Sequence, residues 1–275
     1  MSKDQQVIVS CSADFTDIFM AEFAAIGYDS FQETDSGFIT LTNSIIDIQL
    51  VEEIIDRYQQ QSKVSYIIKE VKQENWNKKW EESYEPIIVE GKCIVRASFH
   101  PPQPEFPIEI IINPRMSFGT GHHETTYLMM KAQLELDHAN KAILDAGTGT
   151  GILSIMAGKL GSDSLIAYDN DEWVIDNLQE NLKINKVVAK TYIGTIQTLY
   201  FDKTFDVIMA NINKNILLND IPFYARLLKK GGNLLLSGFY ENDLPDITNS
   251  TQQNDLNLVN TDTRKSWMMA KFVLE

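Results

Sequence analysis

Three groups of residues in the second half of the chain could together hold a small ligand. The first is Asp145–Gly151 (DAGTGTG), where an apolar run meets Gly147, Gly149 and Gly151 at alternate positions. Glycine lets the backbone approach a ligand closely, and the helix predicted to follow offers unpaired N–H groups at its N-terminus. The spacing is GxGxG rather than GxGxxG, which disfavours an NAD-dependent oxidoreductase. A tight strand–helix turn without a ligand is the alternative.

Two further strands are predicted to end in polar side chains. Asp169 ends the strand that follows the glycine run, 22 residues after Gly147, and an acid there can accept both hydroxyls of a ribose. Asn211 follows the hydrophobic strand Phe205–Ala210. Either residue alone is more typical of a turn at a strand end than of a binding site. Because ligands of open α/β sheets lie beyond the carboxyl ends of the strands, the two side chains and the glycine run predict one site.

The segment Asn113–Thr126 (NPRMSFGTGHHETT) precedes the glycine run and contains two glycines, and Thr125 and Thr126 at its end supply hydroxyls. Its adjacent histidines, His122 and His123, raise the question of a metal ion. Neighbouring residues point to different faces of an element, and no third ligand stands at a recognisable spacing, so no metal site is expected. The segment is instead predicted to fold over the ligand pocket.

The elements that must position these residues alternate along the chain. Strands separated by helices predict a parallel, doubly wound sheet, closed by an antiparallel edge pair. The predicted strands are Ile87–Phe99, Ile108–Asn113, Ala142–Asp145, Leu165–Asp169, Thr191–Ile193, Phe205–Ala210, Asn233–Gly238, Leu256–Thr261 and Trp267–Leu274. The predicted helices are His123–Leu136, Ile152–Leu160, Glu172–Asn185, Ile216–Leu228 and Leu244–Gln253.

The N-terminal part has a different pattern. Residues 1–72 predict a β-α-β-β-α-β order, that of a small ferredoxin-like α+β domain. Residues 73–85 are polar and contain Trp76 and Trp80 four positions apart, as on one face of a linker helix. The alternative is that these two tryptophans dock the linker on a neighbouring core. The remaining residues, 86–275, form the predicted ligand-binding domain.

Composition limits the class of protein. The 275 residues carry a formal net charge of −14, which argues against general nucleic-acid binding and suits a basic partner. Residues 1–72 contain 12 acids and 5 bases, so half of the excess lies in about a quarter of the chain. Two cysteines without a CxxC motif fit a reducing cytoplasm. Neither a secretory leader nor an apolar run long enough for a membrane span is expected.

The glycine run, Asp169 and Asn211, in this order, resemble class I S-adenosylmethionine-dependent methyltransferases. The segment Phe118–Thr126 is similar to the signature of the PrmA family of ribosomal-protein lysine methyltransferases, and that resemblance covers nearly the whole chain. It implies a Rossmann-like catalytic domain after a ferredoxin-like domain that recognises the substrate. The implied substrate groups are lysine ε-amines, the N-terminal α-amine, or both, of the eleventh protein of the large ribosomal subunit.

The same resemblance implies which residues contact S-adenosylmethionine. The implied cofactor-binding residues are Thr126, Gly147, Asp169 and Asn211, together with Phe118, Gly119, Thr120, Asp145, Gly149 and Gly151. Asn211 is expected to orient the substrate amine. The chain departs from the family in the polar run Asn213–Asn215. Methylation of another protein, of RNA, DNA or a small molecule, and a non-catalytic binding module are the competing functions. The absence of an Asn-Pro-Pro-aromatic motif at Asn211 disfavours nucleic-acid substrates.

Overall fold

The structure is a computed structural model that describes residues 5–28, 30–42, 47–70, 84–113, 119 and 121–275. Phe118, Thr120, Trp76 and Trp80 lie outside the described residues, as does the predicted linker helix apart from residues 84 and 85, which are not helical. The chain divides into two compact units, Met1–Ser83 and Tyr84–Glu275. We call them the N-terminal unit and the catalytic unit.

The N-terminal unit has the predicted β-α-β-β-α-β order. Its elements are β1 (Gln5–Ser10), α1 (Ala13–Ala25), β2 (Ser30–Thr34), β3 (Gly37–Thr42), α2 (Ile48–Tyr58) and β4 (Ser65–Glu70). The strands form an antiparallel sheet in the order β2-β3-β1-β4. Val7 and Val9 alternate along β1 on the buried face, where Phe19 and Phe23 of α1 pack with Val51 of α2. One side of this sheet therefore holds the core of the unit.

The catalytic unit contains a seven-stranded sheet in the order β10-β9-β8-β11-β12-β14-β13. Its strands are β8 (Ala142–Ala146), β9 (Ser164–Asp169), β10 (Lys190–Ile193), β11 (Phe205–Asn211), β12 (Leu228–Tyr240), β13 (Leu256–Arg264) and β14 (Trp267–Leu274). Strands β8 to β12 pair in parallel, whereas β14 is antiparallel to both of its neighbours. The predicted parallel sheet with an antiparallel edge pair is confirmed.

Helices flank this sheet and a small three-stranded sheet accompanies it. The helices are α3 (Glu124–Gln133), α4 (Ile152–Lys159), α5 (Glu172–Asn185), α6 (Lys214–Leu227) and α7 (Leu244–Gln252). The small sheet contains β5 (Ile87–Val89), β6 (Cys93–Arg96) and β7 (Ile108–Ile111). The single strand predicted over Ile87–Phe99 is wrong: Glu90 and Gly91 have φ of +51° and +64°, so the chain turns there and the two halves pair.

The core of the catalytic unit lies on both faces of the large sheet. Along β11, Val207 and Met209 belong to one buried cluster, while Ile208 and Ala210 belong to the other. Strands that are buried on both faces are typical of doubly wound sheets. The carboxyl ends of these buried strands are thereby held in fixed positions. Within the described part of the chain, no helix has the length and apolar character needed to cross a membrane.

Candidate active site

A cleft of about 480 Å³ opens at the carboxyl ends of β8, β9 and β11. Its volume falls within the range of small-molecule sites, roughly 300–1,000 Å³. The predicted site residues that line it are Gly119, Thr126, Gly147, Gly149, Asp169 and Asn211. Other residues of its wall include His123, Ile212, Asn213, Gly238 and Trp267. The structure therefore brings most of the described predicted residues together, whereas Asp145 and Gly151 do not line the cleft.

The glycine run forms the turn between β8 and α4. Gly147, Gly149 and Gly151 have φ of +64°, +55° and +83°, a region that favours glycine. A Cβ on Gly147 would lie 2.3 Å from Cγ2 of Ile212, and one on Gly151 would lie 2.2 Å from Cδ1 of Leu178. Gly147 thus keeps the cleft open beside Ile212, while Gly151 allows α5 to pack against the loop.

Asp145 lies beneath the loop and is 1 % exposed. Its Oδ2 accepts hydrogen bonds from Thr148 Oγ1 at 2.7 Å, from Ser154 Oγ at 2.7 Å and from Ser154 N at 3.1 Å. Burial raises the pKa of this carboxyl group, and the nearby Asp169 carboxylate raises it further. These contacts give Oδ2 of Asp145 a role in fixing the loop, and a direct cofactor contact by Asp145 stays a prediction.

Asp169 stands at the end of β9 and faces the glycine loop. Its Oδ2 accepts a hydrogen bond from Gly149 N at 3.1 Å, and its Oδ1 accepts one from Asp171 N at 3.3 Å. A carboxylate can accept roughly four hydrogen bonds, so these two leave capacity for the hydroxyls of a ligand. Two backbone N–H groups therefore hold the Asp169 side chain in place at the border of the cleft.

Asn211 stands at the end of β11, where its amide Nδ2 lies 3.5 Å from Thr126 Oγ1. Thr126 is fully buried on α3, which begins after the N-cap residue His123. The Oδ1 of Asn211 is buried, and no described residue donates a hydrogen bond to it. A buried acceptor without a donor is costly, so this oxygen is suited to a donor from a bound molecule.

Comparisons with known proteins agree with this geometry. Residues 19–274 match the family described as ribosomal protein L11 methyltransferase (PrmA). The chain belongs to this family. A ribosomal protein L11 methyltransferase of Porphyromonas gingivalis is 40% identical over 262 residues, covering 93% of this chain and 90% of that protein. One of Bacteroides thetaiotaomicron is 34% identical over 267 residues, covering 95% of each.

Solved structures show the same fold. A ribosomal protein L11 methylase of Lactobacillus delbrueckii superposes with a TM-score of 0.66 at 27% identity, covering 70% of this chain and 100% of that one. A methyltransferase of Pyrococcus furiosus superposes with a TM-score of 0.51 at 18% identity, over 60% of this chain and 88% of that one. The Rossmann-like class I methyltransferase fold predicted from the sequence is confirmed.

The polar run Asn213–Asn215 begins helix α6 at the wall of the cleft. Asn213 caps α6 by accepting a hydrogen bond from Asn215 N at 2.9 Å. Lys214 Nζ lies 2.7 Å from Asp243 Oδ1 and 2.6 Å from Asp246 Oδ2. These contacts begin α6 and neutralise the lysine charge beside the cleft.

The two histidines have separate partners. His123 Nδ1 accepts a hydrogen bond from Thr125 N at 3.3 Å, and His122 Nε2 lies 3.1 Å from the carbonyl oxygen of Glu85. Among the described residues, no group of three or more His, Cys, Asp or Glu side chains could hold a metal ion.

Sequence reasoning missed two features of the site. A second cleft of about 280 Å³ shares Gly147, Asp169 and Ile212 with the first, and its other walls include Ile196 and Asp220. Burial raises the pKa of the Asp220 carboxyl group. Asp220 occupies a position on the apolar face of helix α6, and such an acid in the sequence was the signal that could have indicated this second cleft.

The other missed feature is an aromatic wall. The rings of Trp267 and His123 lie 4.8 Å apart, and those of Trp267 and Tyr240 lie 4.0 Å apart. Trp267 begins the last strand, and its approach to α3 depends on how distant strands pair. No local pattern in the sequence could have indicated this contact.

Proposed function

We propose that the chain is an S-adenosylmethionine-dependent N-methyltransferase that methylates ribosomal protein L11 at lysine ε-amines, at the N-terminal α-amine, or at both. Family membership and the names of its relatives support the reaction and the substrate. The observation that carries the proposal is the meeting of Gly147, Asp169 and Asn211 around one cleft. Each of these residues comes from a different parallel strand end.

The cleft fits the parts of S-adenosylmethionine. The hydrogen of Gly147 leaves space that a Cβ would fill, and the buried Oδ1 of Asn211 is an acceptor at the same cleft to which no described residue donates. Asp169 is placed to accept the ribose hydroxyls, and the second cleft beyond it has room for the base. The cofactor lacks a pyrophosphate, which agrees with a loop without the dinucleotide spacing.

The residues of the cleft would position an amine for in-line attack. S-adenosylmethionine supplies a methyl group that is already activated by its sulfonium, so the protein mainly orients the lone pair of the nucleophile. Only a neutral amine can attack, and lysine has an ordinary pKa of about 10.4, so it must lose a proton first. Asn211 and neighbouring backbone carbonyls accept hydrogen bonds from this amine, while Ile212 and Trp267 exclude water.

The N-terminal unit supplies recognition of the substrate in this proposal. Its helices present exposed acidic side chains, and the first 72 residues have a net charge of −7. A ribosomal protein is a basic partner, which such a surface attracts at long range. We propose residues 1–72 as the recognition domain and 86–275 as the catalytic domain.

Mass spectrometry tests the proposed reaction. Purified L11 is incubated with this protein and S-adenosylmethionine, and the expected product is L11 heavier by whole methyl groups on lysine or the N-terminus. A parallel reaction on whole ribosomes uses cofactor with a labelled methyl group. Label in ribosomal RNA instead of protein would contradict the proposed substrate.

The role of Asn211 is tested separately. Asn211→Ala removes the oriented amide, and we expect kcat/KM for L11 to fall roughly 10- to 100-fold because the attacking amine is no longer held in line with the methyl group. Asn260→Ala is the control, because Asn260 is exposed on β13 and does not line the cleft, so both the rate and the stability should change little. Full activity and unchanged cofactor affinity in Asn211→Ala would exclude the role.

A further inference from the structure

Helix α5 presents a row of buried amides to the rest of the catalytic unit. Asn177, Asn181 and Asn185 stand four residues apart on one face and are exposed by 1%, 1% and 3%. Amides at such positions are tolerated when they are hydrogen-bonded to specific partners. The partners of Asn181 and Asn185 differ, and the difference separates a role at the site from a role in the fold.

Asn181 contacts the glycine loop and the segment before α3 at the same time. Its Nδ2 donates to the carbonyl oxygen of Thr150 at 2.9 Å, and its Oδ1 accepts from Asn113 N at 3.4 Å. The hydroxyl of Thr150 in turn donates to the carbonyl oxygen of Gly119. Two points of the chain before α3, Asn113 and Gly119, are thus connected to one residue of the glycine loop.

A displacement of Thr150 would change the shape of the cleft, because it would move Gly149 and Gly119. Gly149 and Gly119 both line the cleft, and Gly149 N donates to Asp169. Leu178, one turn before Asn181, already packs where a Cβ of Gly151 would stand. The glycine loop therefore has little room to move on the side that faces α5. The amide of Asn181 also holds the carbonyl oxygen of Thr150 in place.

Asn185 provides the comparison within the same helix. Its Oδ1 accepts from Ile111 N at 2.8 Å, and its Nδ2 donates to Ile111 O at 2.7 Å and to Asn181 O at 2.8 Å. These bonds attach α5 to strand β7. None of these contacts reaches the glycine loop.

We propose that Asn181 is a positioning residue that couples the glycine loop, through Thr150, to the chain at Asn113 and Gly119 and so sets the affinity for S-adenosylmethionine. The proposal rests on the proposed function, which supplies the ligand. Asn185, by contrast, only attaches α5 to strand β7 and so contributes to the fold and not to cofactor affinity.

Matched variants separate these roles. Asn181→Leu and Asn185→Leu each replace a buried amide by an apolar side chain of similar size, and both should lower Tm. Isothermal titration with S-adenosylmethionine should give a Kd raised roughly tenfold in Asn181→Leu, because the buried carbonyl of Thr150 loses its donor. Asn185→Leu should keep a Kd within about twofold of the parent chain, since its partner lies in β7.

The outcomes are distinguishable. A parent chain that does not bind S-adenosylmethionine overturns the proposed function and this proposal with it. A parent chain that binds, with an unchanged Kd in Asn181→Leu or an equal loss in Asn185→Leu, overturns this proposal alone. Amide hydrogen exchange without cofactor gives a second readout: Asn181→Leu should accelerate exchange at Asn113, and unchanged protection there also overturns the proposal.

A variant in the loop keeps the test decisive if Asn181→Leu does not fold. Thr150→Val removes the hydroxyl that donates to Gly119 and preserves the shape of the side chain. It should also raise the Kd for S-adenosylmethionine several-fold, whereas Thr150→Ser, which retains the hydroxyl, should restore binding. Binding by Thr150→Val equal to that of the parent chain would overturn the proposal.

Discussion

The two units of this chain use acidic residues in opposite ways. In the N-terminal unit, the carboxylates whose exposure is described stand on the helices, on the turns and on strand β2, and none of them is buried. In the catalytic unit, Asp145 and Asp220 are buried, and Asp169 is hydrogen-bonded beside a cleft. Surface charges act at long range and are screened by salt, whereas buried and hydrogen-bonded groups act by contact. The same residue type thus positions groups by contact in the catalytic unit, whereas the proposed role of the N-terminal acids is attraction at long range.

This contrast extends to the two cysteines, one in each unit. Cys11 is partly exposed in the N-terminal unit, whereas Cys93 is fully buried in the small sheet of the catalytic unit. Because each thiol reports on a different unit, chemical labelling can follow the two separately.

The largest expected effect is in thiol reactivity. Burial raises the pKa of the Cys93 thiol to about 12. At pH 8 this lowers its thiolate fraction on the order of a thousandfold relative to an ordinary cysteine. A chromogenic disulfide reagent should therefore modify one thiol of the native protein, Cys11, and a Cys11→Ser variant should react only on unfolding. Rapid labelling of Cys93 in the native variant would show that the catalytic unit is less closed than described.

The next effect concerns the contact role of Asp169. Asp169→Asn keeps the shape of the side chain but removes the charge that accepts from Gly149 N and would accept ribose hydroxyls, so we expect the Kd for S-adenosylmethionine to rise roughly 100-fold. The measurement is isothermal titration. Asp206→Asn is the control, because Asp206 begins β11 away from the cleft and pairs with Lys229. An equal rise in the Kd for S-adenosylmethionine in both variants would mean that Asp169 has no special contact with the cofactor.

A smaller effect is expected from the surface charges. Four exposed acids on the N-terminal helices are reversed to lysine: Asp14, Asp17, Glu52 and Glu53. At low ionic strength, KM for L11 should rise roughly tenfold, and the difference should shrink as salt increases because exposed charges are screened. The Kd for S-adenosylmethionine should not change.

The matched control reverses the same number of exposed acids in the catalytic unit: Glu105, Glu135, Asp163 and Asp202. This variant should keep a KM close to that of the parent chain. An equal rise in both variants would mean that total charge, rather than the N-terminal unit, attracts the substrate.

The smallest effect is on the pH dependence of stability. Burial raises the folded-state pKa of Asp145, so between the ordinary value of about 3.9 and the raised value the folded state binds more protons than the unfolded state. The contribution of Asp145 to stability therefore falls as the pH rises through this interval. Asp145→Asn removes that dependence. In urea unfolding from about pH 4 to about pH 7, the free energy of unfolding of the variant should therefore rise relative to that of the parent chain. Parallel curves would contradict the assignment.

Much of the catalytic unit could be predicted from local pattern. The bounds of Glu172–Asn185 and Trp267–Leu274 agree with the structure. The helix is delimited by its cap, Asp171, and by Lys186 in the left-handed region with φ of +58°. The rule that strand ends meet at one edge of a parallel sheet was enough to bring Gly147, Asp169 and Asn211 together. These features depend on neighbours in sequence or on a general property of the fold.

The rest depends on contacts that a linear sequence does not display. Nothing local shows that Glu90 adopts a positive φ and divides a predicted strand. The polarity of Asp145 does not reveal that its Oδ2 accepts hydrogen bonds from the side chains of Thr148 and Ser154. Trp267 reaches the site because β14 pairs with β12 in a particular register, with Tyr240 opposite Trp267. Long-range pairing determines all such positions.

The place of β14 in the sheet also affects how the protein can be made. This strand inserts between β12 and β13, so the large sheet cannot close until the residues up to Leu274 have been synthesised. Until then β12 and β13 each present an unpaired strand edge, the kind of surface on which nascent chains aggregate. The four described strands of the N-terminal unit lie within the first 70 residues, so this unit can fold early. It can therefore be folded while the large sheet of the catalytic unit still lacks β14.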